Sequence, residues 1–328
     1  CRDKQLIRIF ASQSAHTFMH AYRNFDHLPA FRNAVLTIGT YDGVHFGHQQ
    51  IIKRMNELAD SIGGESVLLT FDPHPRLVLH PDDNRLKLIS TIDEKEDLLA
   101  GFGLQHMVIA PFSTEFASMD AEVYVRDILI KNFHPSYIVI GYDHRFGKDR
   151  KGDIHLLRSL ADKYGYIVEE IPAQTIDELS VSSTKVRNAL LDGKIQEANT
   201  LLAHPFTIKG KVVHGDKVGR VLGFPTANIA IANPHKLIPA SGVYAVKIGI
   251  NDSYYKGALS IGYRETVFDN SKLTVEVFIL DFEGDLYDRQ LDMIFVDYIR
   301  PQIKYDSWDL LKVQIAQDVT DVRNAVQL

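Results

Sequence analysis

Short apolar runs alternate with helix-like segments through the first half of the chain. Ala34–Ile38 and Ser66–Phe71 have the largely apolar character of buried strands, and between them apolar side chains recur at helical spacing from Phe46 to Ala59. The alternation continues in the order helix, strand, helix, strand, helix and strand: Asp93–Ala100, His106–Ala110, Ala121–Asn132, Tyr137–Ile140, Asp153–Tyr164 and Tyr166–Ile171. Strands and helices in turn predict right-handed βαβ crossovers, and therefore a parallel sheet with helices on both faces.

The second half of the chain has a different pattern. A helical segment, Ser183–Leu202, is interrupted at Asp192–Gly193 and ends before His204. After it come strand-like runs that contain β-branched residues and are separated by Gly, Asn and Asp turns: Phe206–His214, Gly242–Ile250, Ser253–Ile261, Lys272–Asp281 and Leu291–Ile299. Strands without intervening helices predict an antiparallel barrel, and Asp306–Asp318 predicts a closing amphipathic helix. The boundary is predicted near residue 204, which gives domains of residues 1–204 and 205–328.

Length and composition agree with two soluble domains. The chain has 328 residues, of which 45% are hydrophobic and 24% are charged. Its net charge of −6 argues against general binding of nucleic acid or of an anionic membrane surface. Cys1 is the one cysteine, which excludes an internal disulfide framework and a cysteine-based zinc site. The sequence has neither a run of about 18 apolar residues nor a secretory signal pattern, so a cytoplasmic location is predicted.

A glycine-rich turn follows the first predicted strand and opens a helix. Gly39 and Gly43 permit a tight turn, and Gly47 leaves room for a phosphate to approach the backbone. His45 and His48 are three residues apart, so both rings can face one anion at the start of the helix. For the two histidines alone, a solvated helix face is the commoner explanation, and zinc is disfavoured because no third ligand lies nearby.

A second group of phosphate-binding side chains lies at the start of a later predicted helix. The hydroxyl groups of Ser182, Ser183 and Thr184 can cap this helix and can also donate to phosphate oxygens. Arg187 lies one turn further on, where its guanidinium can bind phosphate with two parallel hydrogen bonds. Alone, this segment is more typical of a plain helix cap.

Together these segments carry a family resemblance. With Asp42 included, the first turn resembles the G-x-F-D-G-x-H-x-G-H signature of the HxGH nucleotidylyltransferases, and the second segment matches their I-S-S-T-x-V-R box. Thr70–Pro75 and Gly141–Gly147 resemble the T-F-x-P-H-P and G-x-D-F-R-F-G boxes of the bacterial bifunctional riboflavin kinase/FAD synthetase family. The matched motifs occur in family order over nearly all of residues 30–325.

The second half contains the motifs that this resemblance requires. Gly219–Asn228 resembles the G-R-x-L-G-F-P-T-A-N loop of the kinase, in which glycines wrap the backbone around polyphosphate and Pro225 stiffens the turn. Thr226 and Asn228 are oxygen-bearing residues two apart, which in an extended segment point the same way and suit Mg²⁺. Glu276 interrupts an apolar strand, so by its pattern alone it faces either solvent or a polar cavity.

The resemblance implies both a fold and two activities. The expected fold is a Rossmann-like α/β nucleotidylyltransferase domain followed by a mainly antiparallel β-barrel riboflavin kinase domain with a C-terminal helix. The expected reactions are phosphorylation of riboflavin to FMN by ATP, and adenylylation of FMN to FAD with release of pyrophosphate. Mg²⁺ is the implied cofactor, and ATP, riboflavin and FMN are the implied partners, without nucleic acid or membrane.

It also implies a role for each matched residue. The expected catalytic residues are the kinase's general base and the adenylyltransferase's phosphate-binding groups: Glu276, His45, His48 and Arg187. The remaining adenylyltransferase residues divide into an ATP side and a flavin side: Gly39, Asp42, Gly43, Gly47, Ser182, Ser183 and Thr184 for ATP, and Asp72, Pro73, His74, Pro75, Asp143, Arg145 and Phe146 for flavin. In the kinase, the residues expected to bind ATP are Gly219, Arg220, Gly223, Phe224 and Pro225. Thr226 and Asn228 are expected to bind the metal. Arg300 is expected to bind flavin.

Some positions depart from the family pattern and keep two alternatives open. Ser260, Glu265 and Asp288 stand where Asn, Pro and Gly are usual, which leaves a single-activity nucleotidylyltransferase with a degenerate kinase half as one alternative. His144 and Thr40–Tyr41 also depart from the adenylyltransferase boxes. The other alternative is a non-enzymatic flavin-binding regulator, against which the complete set of expected catalytic residues argues.

Overall fold

A computed structural model of the chain describes residues 19–83, 86–142, 144–172, 181–215, 219, 223–251, 253–264 and 272–328. These residues form two compact units. The first comprises the chain up to Leu88 together with Lys95–Ser183, and the second comprises Ile89–Glu94 together with Thr184–Leu328. The short segment Ile89–Glu94 therefore groups by its contacts with the C-terminal unit.

The first unit contains a six-stranded parallel sheet. Its strands are β1 (His20–Tyr22), β2 (Val35–Ile38), β3 (Ser66–Asp72), β4 (His106–Pro111), β5 (Tyr137–Gly141) and β6 (Ile167–Ile171). Their order across the sheet is β1-β4-β3-β2-β5-β6, which confirms the predicted parallel sheet. The chain order reverses between β2 and β5, so the loops that follow these two strands flank the crevice where such sheets bind ligands.

Helices connect the strands of this sheet. They are α1 (Phe46–Ile62), α2 (Pro75–Leu79), α3 (Ile92–Gly101), α4 (Thr114–Ala117), α5 (Ala121–Tyr124), α6 (Lys131–Phe133) and α7 (Ile154–Tyr164). A π-helical stretch, Val125–Ile130, joins α5 to α6, and Lys148–Arg150 forms a 3₁₀ turn. The long helix predicted for this part of the chain is thus present, with wider turns in its middle.

The apolar face of α1 is packed into the core of the first unit. Ile52 and Met55 of α1 are fully buried, as are Leu36 of β2 and Leu69 of β3. Burying each of these side chains contributes roughly 1.5–3 kcal/mol, so the apolar positions that predict the helix and the strands also stabilise this unit. Packing of α1 against the sheet fixes the turn that joins β2 to α1.

The second unit contains a closed antiparallel barrel, as predicted. Its strands are β7 (Thr207–Val213), β8 (Thr226–Ala230), β9 (Gly242–Ile250), β10 (Ser253–Arg264), β11 (Lys272–Ile279) and β12 (Gln290–Arg300), in the closed order β10-β11-β8-β7-β12-β9. The pattern of apolar residues predicted every strand of the barrel except β8. That strand has only five residues, and they continue the phosphate-loop motif, so its alternation of polar and apolar residues is too short to be recognised as a strand.

Three further helices belong to the C-terminal part of the chain. They are α8 (Ser183–Leu191), α9 (Ile195–Leu202) and α10 (Trp308–Ala325). The hydroxyl of Ser307 caps α10 by accepting a hydrogen bond from the Leu310 amide at 3.3 Å. The helix continues seven residues past its predicted end at Asp318 because Val322 and Val326 are buried in an apolar cluster that includes Leu280. Among the described residues, no helix combines the length and apolarity needed to cross a membrane.

Candidate active sites

The turn between β2 and α1 is held in an unusual backbone conformation. Gly43 has a φ of 82°, but Tyr41 and Val44 also have positive φ angles, of 47° and 41°. Residues other than glycine rarely have positive φ angles, so the surrounding structure must hold Tyr41 and Val44 in this conformation. The Tyr41 hydroxyl is hydrogen-bonded to Thr37 Oγ1 at 3.0 Å, and Thr37 Oγ1 donates to the Val139 carbonyl at 2.7 Å. Contacts across β2 and β5 therefore fix the shape of this turn before any ligand binds.

The turn brings His45 and His48 together. Their rings are stacked with centroids 3.7 Å apart, and the ring of Tyr41 is stacked on His48 at 4.6 Å. Burial, His45 and the ammonium of Lys95 hold the pKa of His48 well below its usual range, so this imidazole is neutral near pH 7. Its Nδ1 atom is buried and has no hydrogen-bond partner in the part of the chain that the structure describes. A neutral imidazole can both donate and accept a hydrogen bond.

The start of α1 is suited to an anion. His45 occupies the N-cap position with an extended backbone, and its own side chain makes no capping hydrogen bond. The first turn of α1 carries no acidic residue, and Gly47 is buried within it. The amide groups at a helix start and the helix dipole both favour negative charge. Phosphate binding at this helix start, expected from the sequence, stays a prediction.

The second sequence motif contacts the same turn. Asp42 is only 2% exposed, and its carbonyl accepts a hydrogen bond from Ser183 Oγ at 3.2 Å. Gly39 also belongs to the turn: its amide donates to the Leu69 carbonyl at 3.0 Å, and a Cβ atom there would lie 2.9 Å from the Tyr41 ring. Ser182 precedes α8. Thr184 and Arg187 lie on α8, which from Thr184 onward groups with the second unit, and their approach to a phosphate stays a prediction.

The segment expected to bind flavin begins where β3 ends. Asp72 is the last residue of β3, and Pro73 separates it from α2. His74 caps α2, because its Nδ1 accepts a hydrogen bond from the Arg76 amide at 3.1 Å, and Pro75 opens the helix. Capping by these residues fixes the direction in which the segment leaves the sheet.

The second flavin segment follows β5. Asp143 lies outside the described residues, whereas Arg145 faces Asp153 with Nη1 3.5 Å from Oδ2. Phe146 is buried, and its ring centroid lies 5.4 Å from that of Tyr124. Phe146 therefore anchors the loop in the core of the first unit, while Arg145 is the more exposed of the two.

Lys95 lies beside this site, and the sequence motifs did not single it out. It is 5% exposed, and its Nζ atom is 3.5 Å from Thr70 Oγ1 at the end of β3. The carboxylates of Asp42 and Asp72 act on it electrostatically, although burial outweighs them and lowers its pKa to about 8. One signal in the sequence could have identified it, because Leu99, four residues later on α3, is fully buried and a lysine in an apolar helical stripe is unusual.

The kinase residues share one face of the barrel. Glu276 on β11 lies directly opposite Asn228 on β8 and opposite Ser260 on β10. Residues opposite each other on antiparallel strands point to the same side, so three strands contribute polar groups to one surface. Thr226 Oγ1 donates a hydrogen bond to Glu276 Oε2 at 3.2 Å, which joins the expected metal ligand to the expected base.

Glycine is required by close contacts in the phosphate loop. A Cβ atom on Gly219 would lie 2.4 Å from the Phe224 carbonyl oxygen, and the Phe224 amide donates to the Gly219 carbonyl at 2.8 Å. Gly223 has a φ of 88°, and Pro225 follows Phe224 directly before β8. Arg220 lies outside the described residues. The described part of the loop is therefore a tight turn built by its backbone.

The residues at the start of β8 fit a hard divalent cation. The hydroxyl of Thr226, the amide of Asn228 and the carboxylate of Glu276 are oxygen groups of the kind that Mg²⁺ prefers. Gly215 leaves room for the Asn228 amide, since a Cβ atom there would lie 2.1 Å from Asn228 Nδ2. Among the described residues, no group of three or more His, Cys, Asp or Glu side chains is placed to hold a metal ion, so this fit rests on one carboxylate and two neutral oxygen groups.

Arg300 is held by α10. Its Nε and Nη2 atoms donate to the two carboxylate oxygens of Asp318 at 2.7 and 2.6 Å, and its Nη1 donates to the Pro301 carbonyl at 3.0 Å. Gln314 Nε2 adds a hydrogen bond to Asp318 at 3.0 Å. Every nitrogen of the guanidinium thus has a protein acceptor, and the expected contact between Arg300 and flavin stays a prediction.

Comparison with known proteins identifies both halves. A family model described as FAD synthetase matches residues 28–185, and one described as riboflavin kinase matches residues 202–326. A crystal structure described as a macrolide-efflux protein from Streptococcus pneumoniae superposes with a TM-score of 0.82 at 32% identity, and covers 94% of this chain and 99% of its own. The description as a macrolide-efflux protein applies to that protein and not to this chain.

Curated relatives carry the names of both enzymes. The bifunctional riboflavin kinase/FMN adenylyltransferase of Listeria monocytogenes is 38% identical over 89% of this chain and 92% of its own length. The proteins of the same name from Pseudomonas fluorescens and Escherichia coli are 37% and 36% identical, over 90% and 88% of this chain and 94% and 91% of their own lengths. The chain therefore belongs to the bifunctional riboflavin kinase/FMN adenylyltransferase family.

Proposed function

We propose that this chain makes FAD from riboflavin in two steps, each of which uses ATP. The observation that carries this proposal is the succession of the two family models on a single chain, which is also similar over about nine tenths of its length to relatives named for both activities. Both structural units contain polar groups suited to binding phosphate. The intermediate, FMN, is the product of one reaction and the substrate of the other.

In the kinase half, the proposed reaction is transfer of the γ-phosphoryl group of ATP to the ribityl 5′-hydroxyl of riboflavin. Glu276 accepts the hydroxyl proton as the new P–O bond forms and ADP leaves. The hydrogen bond from Thr226 supports this role because it fixes one carboxylate oxygen. Mg²⁺, which Thr226 and Asn228 would hold, supplies neutralisation of phosphate charge when bound. The backbone turn from Gly219 to Pro225 supports binding of the polyphosphate.

In the adenylyltransferase half, a phosphate oxygen of FMN attacks the α-phosphorus of ATP, and pyrophosphate leaves. The nucleophile is already an anion, so this step needs no strong base. The main difficulty is repulsion between two anionic substrates, which positive and hydrogen-bonding groups must reduce. The neutral His48, its stacking on His45 and the first turn of α1 without acidic residues support this role in the first unit. Arg187, Ser182, Ser183 and Thr184 are proposed to bind the same phosphates.

The flavin of the second reaction is proposed to lie against the segments after β3 and β5. Asp72, His74 and Arg145 are the polar members of these segments, and Phe146 positions the second one. We also propose that the two activities divide near residue 204. A cytoplasmic location is proposed because both reactions consume ATP.

A two-product assay tests the proposed function. The purified chain is incubated with riboflavin and MgATP, and separately with FMN and MgATP, and flavins are resolved by chromatography. Formation of FMN and then FAD is expected in the first mixture, and FAD in the second, with both lost when EDTA removes divalent cations. Formation of FAD only from supplied FMN indicates the single-activity alternative. Flavin binding without either product indicates a regulator.

A further inference from the structure

Lys95 is a buried ammonium group that the reactions described above do not use. It lies on α3 in the first unit and is 5% exposed. Its one hydrogen bond to the described residues is to Thr70 Oγ1, at the long distance of 3.5 Å. Thr70 Oγ1 in turn donates to the Thr40 carbonyl at 3.4 Å, in the turn that carries the histidines. The ammonium therefore lies at the ligand-binding edge of the sheet with most of its donor capacity unused.

A second buried lysine, Lys236, provides a comparison, because each of its three ammonium donors has a hydrogen-bond acceptor. Lys236, in the second unit, has a side chain 1% exposed and donates to Glu94 Oε2 at 2.6 Å, to the Ile89 carbonyl at 2.7 Å and to the Thr207 carbonyl at 2.9 Å. An ammonium has three donors, and at Lys236 all three have protein acceptors. Burial of a cation without such acceptors is unfavourable, so an underused buried ammonium is expected to have a function.

The surroundings of Lys95 indicate which kind of ligand would accept a hydrogen bond from its ammonium. Asp42 and Asp72 favour its charged form, and each belongs to a segment expected to bind one substrate: Asp42 to the ATP turn and Asp72 to the flavin segment. His48 also interacts with it electrostatically. The charged and titratable groups that act on Lys95 are thus the carboxylates of Asp42 and Asp72 and the imidazole of His48. A ligand oxygen carrying negative charge would provide the missing acceptor.

We propose that Lys95 is a catalytic residue of the adenylyltransferase reaction, whose ammonium donates to an oxygen of a substrate phosphate at the end of β3. The proposal rests on the proposed function only for the identity of the substrates, because the unsatisfied ammonium is a feature of the chain itself. The phosphate is that of FMN or belongs to the polyphosphate of ATP. In either case Lys95 reduces the repulsion between the two anions.

The experiment compares Lys95→Met, which removes the charge at similar length, with the full-length parent. Lys53→Met is the matched control, since Lys53 is an exposed lysine on α1. Each protein is assayed for FAD formation from FMN, with separate KM values for FMN and ATP, and for FMN formation from riboflavin. Thermal unfolding and calorimetric binding of inorganic pyrophosphate and of FMN provide readouts that do not depend on turnover.

We expect Lys95→Met to lower FAD formation by roughly 10²- to 10³-fold, to leave FMN formation unchanged and to unfold at or above the parental temperature. We also expect at least a tenfold loss of affinity for one probe. Loss for FMN, with a raised KM for FMN, identifies the FMN phosphate; loss for pyrophosphate identifies ATP. Lys53→Met should match the parent throughout.

Three results would overturn the proposal. These are parental FAD formation by Lys95→Met, unchanged affinity for both probes, and a lowered unfolding temperature with activity lost only in proportion to unfolded protein, as a structural lysine would give. If the parent itself forms no FAD from FMN, the proposed function fails, but the two binding measurements still decide whether Lys95 binds an anion.

Discussion

The imidazole rings of His45 and His48 are stacked with their centroids 3.7 Å apart and their planes 17° from parallel. Two imidazolium ions at this separation would repel each other by about 4 kcal/mol at an effective dielectric constant of 20, and, after burial, His45 is one of the causes that lower the pKa of His48. The turn between β2 and α1 enforces this proximity. The lowered pKa of His48 is therefore in part a consequence of the same turn that places the two rings together.

Replacing His48 should separate the two activities. We expect His48→Ala to lower FAD formation from FMN by roughly 10²- to 10³-fold, because a hydrogen-bond donor to the reacting phosphates is lost. FMN formation from riboflavin should be retained, and initial rates of both products measure the effect. His155→Ala, an exposed histidine on α7, is the control. Equal loss of both activities in His48→Ala would indicate unfolding or a shared site.

Acid should destabilise the chain partly through His48. Its pKa in the folded protein lies well below the ordinary value of 6.5, so between these two values the unfolded chain binds a proton that the folded chain does not. Stability is complete above about pH 6.5 and falls as the pH decreases through the window below it, by at most about 1.4 kcal/mol per pH unit for one proton. Urea unfolding at pH 7.5 and 5.5 measures this loss.

His106 contributes to the same acid loss, since burial also lowers its pKa. The loss between the two pH values should therefore be smaller in His48→Gln than in the parent, but not zero. An identical loss in His48→Gln and the parent would show that His48 is not neutral in the folded chain.

Glu276→Gln should affect the kinase alone. The amide oxygen can still accept the hydrogen bond from Thr226, but it cannot take up the proton of the ribityl hydroxyl. We expect FMN formation to fall by about 10²- to 10⁴-fold, with adenylylation of supplied FMN unchanged. Glu283→Gln, at an exposed position, is the charge-matched control. Parental FMN formation by Glu276→Gln would refute the assignment of the base.

The ion pair between Arg300 and Asp318 should contribute to the stability of the barrel. Asp318 has a side chain 5% exposed and Arg300 one 15% exposed, so Asp318→Ala leaves a partly desolvated guanidinium without its partner. We expect a loss of about 2–3 kcal/mol, somewhat below the value for fully buried pairs, measured by urea unfolding. Arg323 and Asp281 form a pair of the same geometry at the surface, so Asp281→Ala should change the unfolding midpoint little.

Lys236→Met should be strongly destabilising. The substitution leaves the buried carboxylate of Glu94 without its ion-pair partner and removes the donors to the carbonyls of Ile89 and Thr207. A loss of about 3–5 kcal/mol is expected for a pair at this depth, measured as the change in the free energy of unfolding. Glu94→Gln, which keeps the hydrogen-bonding shape, should lose less. A change below about 1 kcal/mol in Lys236→Met would show that the pair is solvated.

Local periodicity made much of the fold predictable. Ala34–Ile38 and Ser66–Phe71 were identified as strands because buried parallel strands are nearly continuous apolar runs. The barrel strands were identified by their β-branched residues and turns. β1 has only three residues and β8 only five, so neither is long enough to produce a period that can be recognised in the sequence.

In the candidate sites, contacts between residues close in the sequence were predictable, whereas contacts between distant residues were not. His45 and His48 are close in the sequence, and helical geometry alone brings residues at this spacing together. The contact of Ser183 with Asp42 joins residues 141 positions apart, which motif order suggested but local geometry could not show. The family resemblance identified Arg300 as a candidate flavin-binding residue. Its ion pair with Asp318 could not be predicted, because Asp318 lies on a different element, α10.

The sequence by itself determined the family, the two fold classes and the short-range groups proposed to bind phosphate, because each of these depends on spacing along a helix, strand or turn. The tertiary structure alone decided how far each charged group is desolvated and what satisfies it. The helical stripe around Lys95 indicates at most that this lysine is buried, and only the packing of distant elements leaves Lys95 with one long hydrogen bond and gives Lys236 three acceptors. Desolvation and hydrogen-bond satisfaction are properties of three-dimensional neighbours, and they vary independently of the residue's position in the chain.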